Sequence, residues 1–150
     1  MIKCIKTNSD NKDFQELVIK LDLYLKICDG EEHSFYAQYN KTDTIQHVIV
    51  AYDNETAVGC GAIKEYTPEI AEVKRMYVKE EQRGKKIAST ILAELENWAA
   101  ELNYTKCILE TGKKQSEAIQ LYTKNNYRQI TNYGQYENVE NSVCFEKSIS

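Results

Sequence analysis

Arg83-Gly84-Lys85-Lys86-Ile87-Ala88 sets three basic side chains and a glycine between an apolar run and a long helical stripe. A helix that begins there leaves its first N–H groups without intrahelical partners and carries partial positive charge. Gly84 permits close backbone approach, and Ala88 keeps the first turn free of bulk. A phosphate suits such a point, and a pyrophosphate suits it well. A solvated basic loop balancing Lys79-Glu80-Glu81 would have the same composition, so the charges alone leave both readings open.

Rival phosphate patterns are missing from the chain. No GxxxxGK[ST] occurs. Gly59-Cys60-Gly61 lies mid-strand with no helix after it, so a dinucleotide fingerprint is excluded. Those glycines read instead as a close backbone approach or a bulge.

The elements that must position the loop follow from periodicity. Residues 1–6 alternate as a first strand. A helix follows, capped by Ser9 or Asp10 and carrying Phe14, Leu17, Val18, Leu21, Leu23, Leu25 and Ile27, and Cys28-Asp29-Gly30 stops it. Residues 31–39 hold a weaker helical signal. Residues 44–52 form a strand apolar on both faces, with Ile45 and Ile49 on one and Val48 and Val50 on the other, so it is covered on both sides. Residues 57–66 return antiparallel after Asp53-Asn54-Glu55, and residues 70–78 return again after the only proline, Pro68. After the basic turn, Ile87, Ile91, Leu92, Leu95, Trp98, Ala99 and Leu102 fall on one helical stripe. Residues 106–110 read as a strand parallel to 70–78 through a right-handed crossover. A helix over 115–124 ends with Asn126 at its C′ position, and residues 127–131 and 142–147 close as a hairpin.

At 150 residues with no repeat, linker or low-complexity tract, residues 1–150 form a single domain. A formal charge of -4 argues against a nucleic-acid partner. Five cysteines, odd in number and without CxxC spacing, read as reduced packing residues and point to the cytoplasm, with no metal site. The polar N-terminus is unlike a signal peptide, and no apolar run is long enough to span a membrane. His33 and His47 belong to no constellation, and His47 reads as packed.

The loop resembles the R-x-x-G-x-[GA] pyrophosphate loop of the GNAT acetyltransferase superfamily. Residues 71–78 are similar to that family's fourth strand, and Leu109-Glu110-Thr111-Gly112 to the end of its fifth. Residues 115–122 resemble its N-x-x-A-x-x-L-Y helix, with Gln115 in place of the asparagine, and Asn125-Asn126-Tyr127 resembles its G-F/Y, with Asn126 in place of the glycine. The likeness spans roughly residues 50–130. One departure is visible: the family's inner glycine is Lys86, which can present the same N–H only if the loop avoids a conformation reserved for glycine. The resemblance implies an α/β (α+β) fold with a central mixed, mostly antiparallel sheet of about seven strands. Helices cover both faces, and the parallel fourth and fifth strands splay apart.

It also implies an acetyl-CoA cosubstrate, without metal, and direct acetyl transfer to a primary amine of a small molecule or peptide. Such chemistry needs a neutral amine, donors at the thioester oxygen and a proton for the departing sulfur. By resemblance Tyr122 is the general acid, and a phenol with a pKa of ~10 is protonated at neutral pH. The Met76 N–H would polarise the thioester carbonyl, while Met76, Tyr77 and Val78 bind the pantetheine arm. Arg83, Gly84, Lys85, Lys86, Ile87, Ala88 and Ser89 would hold the pyrophosphate, and Gln115 the cosubstrate tail. Glu72 is the candidate base and Glu110 its rival. Acceptor contacts would come from Tyr24, Glu31, Glu32, Tyr36, Tyr133 and Tyr136, whose acidic and aromatic character suits a cationic amine. The assembly would be a monomer or homodimer. A non-catalytic acyl-CoA-binding module on the same fold is the alternative, and the acid at Tyr122 favours the enzyme.

Overall fold

The computed structural model describes residues 1–29 and 45–150. Seven strands form one sheet in the order β1-β2-β3-β4-β5-β7-β6. In chain order these are β1 (Ile2–Thr7), α1 (Lys12–Asp29), β2 (His47–Asp53), β3 (Thr56–Thr67), β4 (Ile70–Val78), α2 (Ile87–Glu101), β5 (Lys106–Gly112), α3 (Ser116–Lys124), β6 (Arg128–Ile130) and β7 (Ser142–Ser148). Neighbours are antiparallel except β4 and β5, the pair joined through α2. The sheet and its parallel pair are those the sequence leads one to expect.

Helices cover both faces. Phe14, Leu17 and Val18 of α1 pack on Val48, Val50, Cys60 and Ala62, while Ile87, Ile91, Leu92, Leu95 and Ala99 of α2 and Tyr122 of α3 cover the other side. The α1 cap is Asn11 rather than Ser9 or Asp10: its Oδ1 accepts the Phe14 N–H at 2.9 Å, the geometry of an N-cap bonding N3. Ile45 lies before β2 and joins the α1 cluster with Val48 and Val50, not the Ile49 face, because the strand alternation begins only at His47. His47 packs edge-on to Trp98 at 4.9 Å, and burial pushes its pKa down. All five cysteines are free thiols.

The α3 terminus closes as a Schellman motif. Asn126 adopts φ 73°, its N–H donates to the Thr123 carbonyl, and the Tyr127 N–H reaches the Tyr122 carbonyl at 3.0 Å. The hydrophobic contact that accompanies this motif is Tyr127 against Tyr122, ring centroids 5.7 Å apart.

β4 is the irregular strand. Cys60 pairs with Tyr77 and Ala62 with Lys74, so Gly61 alone faces Arg75 and Met76. This is a bulge, and Arg75 carries it in the left-handed region at φ 59°. The extra residue shifts the side-chain alternation: Ala71 and Val73 face α2 before the bulge, and Met76 and Val78 face it afterwards. Gly61 is required there, since a Cβ would stand 2.5 Å from Met76 Sδ and 2.9 Å from Leu95 Cδ1. Pairing of β4 with β5 ends at Glu72 opposite Ile108. Beyond that point the two strands part.

Candidate functional site

The parting of β4 from β5 leaves the β5-facing edge of β4 beyond Glu72, Arg75 and Met76 included, without a ladder partner. Backbone groups ordinarily spent on a sheet therefore face an opening. Two cavities meet there. A groove of about 460 Å³ runs from the basic loop along β4, and a smaller cavity of about 110 Å³ lies on the far side. Leu21, Met76, Gln115, Ala118 and Tyr122 border both, so the two form one passage.

The outer end of the groove is the N-terminus of α2. Its first helical bond runs from the Thr90 N–H to the Lys86 carbonyl, which leaves the N–H groups of Ile87, Ala88 and Ser89 without helical acceptors. No side chain caps this end, and no acidic residue occupies its first turn. Gly84 sits at φ 85° with nothing within 4 Å of a notional Cβ, so backbone conformation alone makes glycine suitable. Lys86 takes φ 64°, ψ 19°. The loop thus does not avoid the glycine-type conformation, as a lysine there was expected to require; it adopts that conformation with a lysine in place.

The basic side chains of the loop are held differently. Arg83 Nε donates to the Val78 carbonyl at 3.0 Å, and its guanidinium lies over the rings of Tyr24 (5.2 Å) and Tyr77 (5.8 Å). Glu117 of α3 approaches the same guanidinium at 3.7 Å. Lys85 Nζ donates to Gln82 Oε1 at 3.0 Å. Asn125 donates to Ser89 Oγ at 3.1 Å and to the Leu121 carbonyl at 2.8 Å, tying the end of α3 to the start of α2.

Tyr122 projects from α3 to the junction of the two cavities. Burial, and secondarily the charge of Glu110, holds its pKa well above the usual tyrosine range, so the phenol keeps its proton. It packs against Tyr127 and Phe145.

Both candidate carboxylates border the smaller cavity. Glu72 is 8% exposed; its Oε2 accepts the Tyr133 hydroxyl at 2.6 Å and its Oε1 lies 3.7 Å from Lys74 Nζ. Glu110 accepts the Ser142 hydroxyl at 2.7 Å. Tyr133 stacks edge-on with Tyr66 and Tyr136, and Tyr136 closes the cavity floor. Burial raises both phenols. Arg75 also borders this cavity. Its side chain is 2% exposed and donates to Asp22 Oδ1 of α1 at 2.6 Å, while Nε is buried without a partner among the described residues.

Most residues singled out from the sequence therefore converge on one passage. Met76, Tyr77, Val78, Arg83, Gly84, Lys86, Ile87, Ala88, Ser89, Gln115 and Tyr122 line the larger groove, with Lys85 beside them on the loop. Glu72, Glu110 and Tyr136 line the smaller cavity, and Tyr133 reaches it through Glu72. Tyr24, expected on the acceptor side, stands on the larger groove instead. Glu31, Glu32 and Tyr36 lie outside the described residues, as does the weak helical signal over 31–39. Sequence reasoning gave no site role to Leu21, Arg75, Glu117 and Asn125. Only Asn125 carried a usable signal, as an amide one residue before the helix-ending Asn126.

Comparison with known proteins identifies the family and the fold. The family model described as acetyltransferase (GNAT) family matches residues 14–127. An IAA acetyltransferase of Azospirillum brasilense is 35% identical over 136 residues, 89% of each chain. The fold superposes with a TM-score of 0.84 on a proposed acyl-CoA N-acyltransferase of Klebsiella pneumoniae, 28% identical, covering 100% of this chain and 99% of that one. A GNAT family acetyltransferase of Elizabethkingia anophelis, solved with acetyl-CoA bound, shares the fold at a TM-score of 0.71 and 18% identity, covering 98% and 97%.

Proposed function

This chain belongs to the acetyltransferase (GNAT) family, and on that premise we propose that it transfers an acetyl group from acetyl-CoA directly to a primary amine of a small molecule or peptide. The observation that carries the reading is the single passage past Tyr122, with an uncapped helix N-terminus and basic side chains at one end and carboxylates at the other. The larger groove fits a phosphorylated thioester: free helix N–H groups and basic side chains at its outer end, ladder-free backbone of β4 at its inner end.

Each residue then has a defined task. The N–H groups of Ile87, Ala88 and Ser89 bind pyrophosphate oxygens, and Arg83 holds the loop to the end of β4. Backbone groups of Met76, Tyr77 and Val78 run beside the pantetheine arm. The Met76 N–H donates to the thioester oxygen as the amine nitrogen forms its bond to the carbonyl carbon and negative charge grows there. Tyr122 donates its proton to sulfur as the carbon–sulfur bond breaks, and its raised pKa keeps that proton available at neutral and mildly alkaline pH.

The amine arrives as an ammonium ion and must lose a proton. Glu110 is assigned that role, directly or through water. Both carboxylates are engaged in this structure, Glu72 with Tyr133 and Lys74 and Glu110 with Ser142, and Glu110 is the one whose charge reaches Tyr122. Glu72 and the tyrosines beside it form the wall that receives the cationic acceptor.

The test mixes purified protein with acetyl-CoA and a panel of primary amines and follows free thiol release, with Tyr122→Phe alongside. Amine-dependent release that collapses in Tyr122→Phe supports the proposal. Acetyl-CoA binding without release on any amine would favour a non-catalytic acyl-CoA-binding module.

A further inference from the structure

Glu72 and Lys74 lie two apart on β4 and so share the face opposite Ala71 and Val73, which pack under α2. Regular alternation would return Arg75 to the α2 face. The bulge prevents it: at φ 59° the strand turns, and the Arg75 guanidinium reaches Asp22 of α1 at 2.6 Å. The Cys60 thiol donates to the Arg75 carbonyl at 3.4 Å and holds the bulge in place. Lys74 and Arg75 therefore border the smaller cavity together, beside Glu72 and Glu110.

Both cations are short of partners. The Lys74 side chain is 11% exposed; its ammonium makes no hydrogen bond among the described residues and meets Glu72 Oε1 at 3.7 Å. Arg75, 2% exposed, donates to Asp22, while its Nε has no partner among the described residues. Taking such groups out of water is unfavourable unless hydrogen bonds replace the lost hydration. Ammonium and guanidinium are donors only, so what they lack is a hydrogen-bond acceptor. A substrate bearing nothing but an amine brings further donors and leaves that lack unmet. A carboxylate meets it.

We propose that the amine substrate is a zwitterion, a free amino acid whose carboxylate is held by Lys74 and Arg75 while its amino group turns to Glu110 and the thioester. This rests on the reading of the passage as a site of acetyl transfer to an amine, and it names the class of that amine. The cavity, about 110 Å³, is small beside ligand sites of roughly 300–1,000 Å³, which suits a compact molecule with both charges a few atoms apart. Lys74 supplies a point charge, and Arg75, fixed by Asp22, supplies directed N–H groups that match a carboxylate. In the transfer the amino nitrogen, having given a proton to Glu110, bonds to the acetyl carbon. The carbon–sulfur bond breaks, and Tyr122 protonates the sulfur. The products are an N-acetyl amino acid, its carboxylate untouched, and the free thiol of coenzyme A.

The experiment follows thiol release from acetyl-CoA with a panel of free amino acids, each beside its carboxamide and its decarboxylated amine, in wild type and in Lys74→Met. A carboxylate raises the basicity of the neighbouring amine, so intrinsic reactivity favours the carboxamide. Wild type should nevertheless use at least one amino acid with kcat/KM about 100-fold above both analogues, the size of a charged hydrogen bond left unmade. In Lys74→Met that preference should shrink at least about tenfold. A structural role for Lys74 would slow all three substrates alike and leave the ratio standing, and that result would overturn its assignment. Wild type that uses carboxamides or plain amines as well as the amino acids would overturn the proposal with no variant needed. Failure of the wild type to release thiol with any of the three kinds of substrate would overturn the reading of the passage instead.

Discussion

The larger groove draws most of its wall from one continuous run, the end of β4, the basic loop and the first turn of α2. The smaller cavity is assembled from side chains of α1, β4, β5, α3 and the segment between β6 and β7. The groove presents backbone N–H groups to a ligand, and its specificity lies in the shape of the chain. The cavity presents carboxylates and phenols, and its specificity lies in residue choice. A common cosubstrate can thus be served by a fixed loop while the acceptor side is free to vary.

That contrast can be broken at the junction first. Tyr122→Phe removes the proton donor and keeps the ring; kcat should fall about 10³-fold, with acetyl-CoA affinity within about twofold of wild type. A comparable loss of affinity would mean that the residue only packs.

Glu110→Gln probes the cavity alone. A drop in kcat of about 10²-fold is expected, with KM for acetyl-CoA nearly unchanged, while Glu72→Gln should cost about tenfold. Steady-state kinetics with both variants would reverse the two assignments if Glu72→Gln proved the more damaging.

Gly84→Ala is the matching change in the groove. No atom obstructs the added methyl, so the cost is backbone conformation only, about 1 kcal/mol at φ 85°. The altered loop should weaken acetyl-CoA about fivefold and leave kcat at saturation intact. Loss of kcat without loss of affinity would erase the division between the two regions.

Stability should carry the smallest signature, and on the cavity side. Tyr122, Tyr133 and Tyr136 all have folded pKa values raised by burial. The unfolded chain ionises at ~10, so their contribution is fully present below that pH and is lost as pH climbs above it. Denaturant midpoints should hold steady up to about pH 9.5 and then decline. A midpoint that stays level to pH ~11 would show that these phenols are not held protonated by the fold.

The same contrast accounts for what could be read from the sequence. The loop was legible because its signals are contiguous: a glycine, three cations and a helical stripe in one short run. Tyr122 was legible through the helix around it, and Asn126 through the chemistry of helix ends. A close approach or a bulge was legible at Gly61, but its partner Arg75 was not, because an arginine in the left-handed region leaves no mark in composition. Nor was the cavity. Tyr133 lies 61 positions from the Glu72 it bonds, and Asp22 lies 53 from Arg75, and no local pattern announces either pair. Nor does any local pattern announce that Tyr24 lies on the larger groove, where its ring stacks on Arg83, a tertiary contact.

Amide hydrogen exchange with and without acetyl-CoA tests the central claim most directly. If one thioester runs the length of the groove, exchange should slow both at Ile87, Ala88 and Ser89 and at Met76 and Val78, with the β6–β7 hairpin unaffected. Protection at the helix N-terminus alone, with Met76 and Val78 exchanging as freely as before, would place the acetyl group elsewhere and contradict the account.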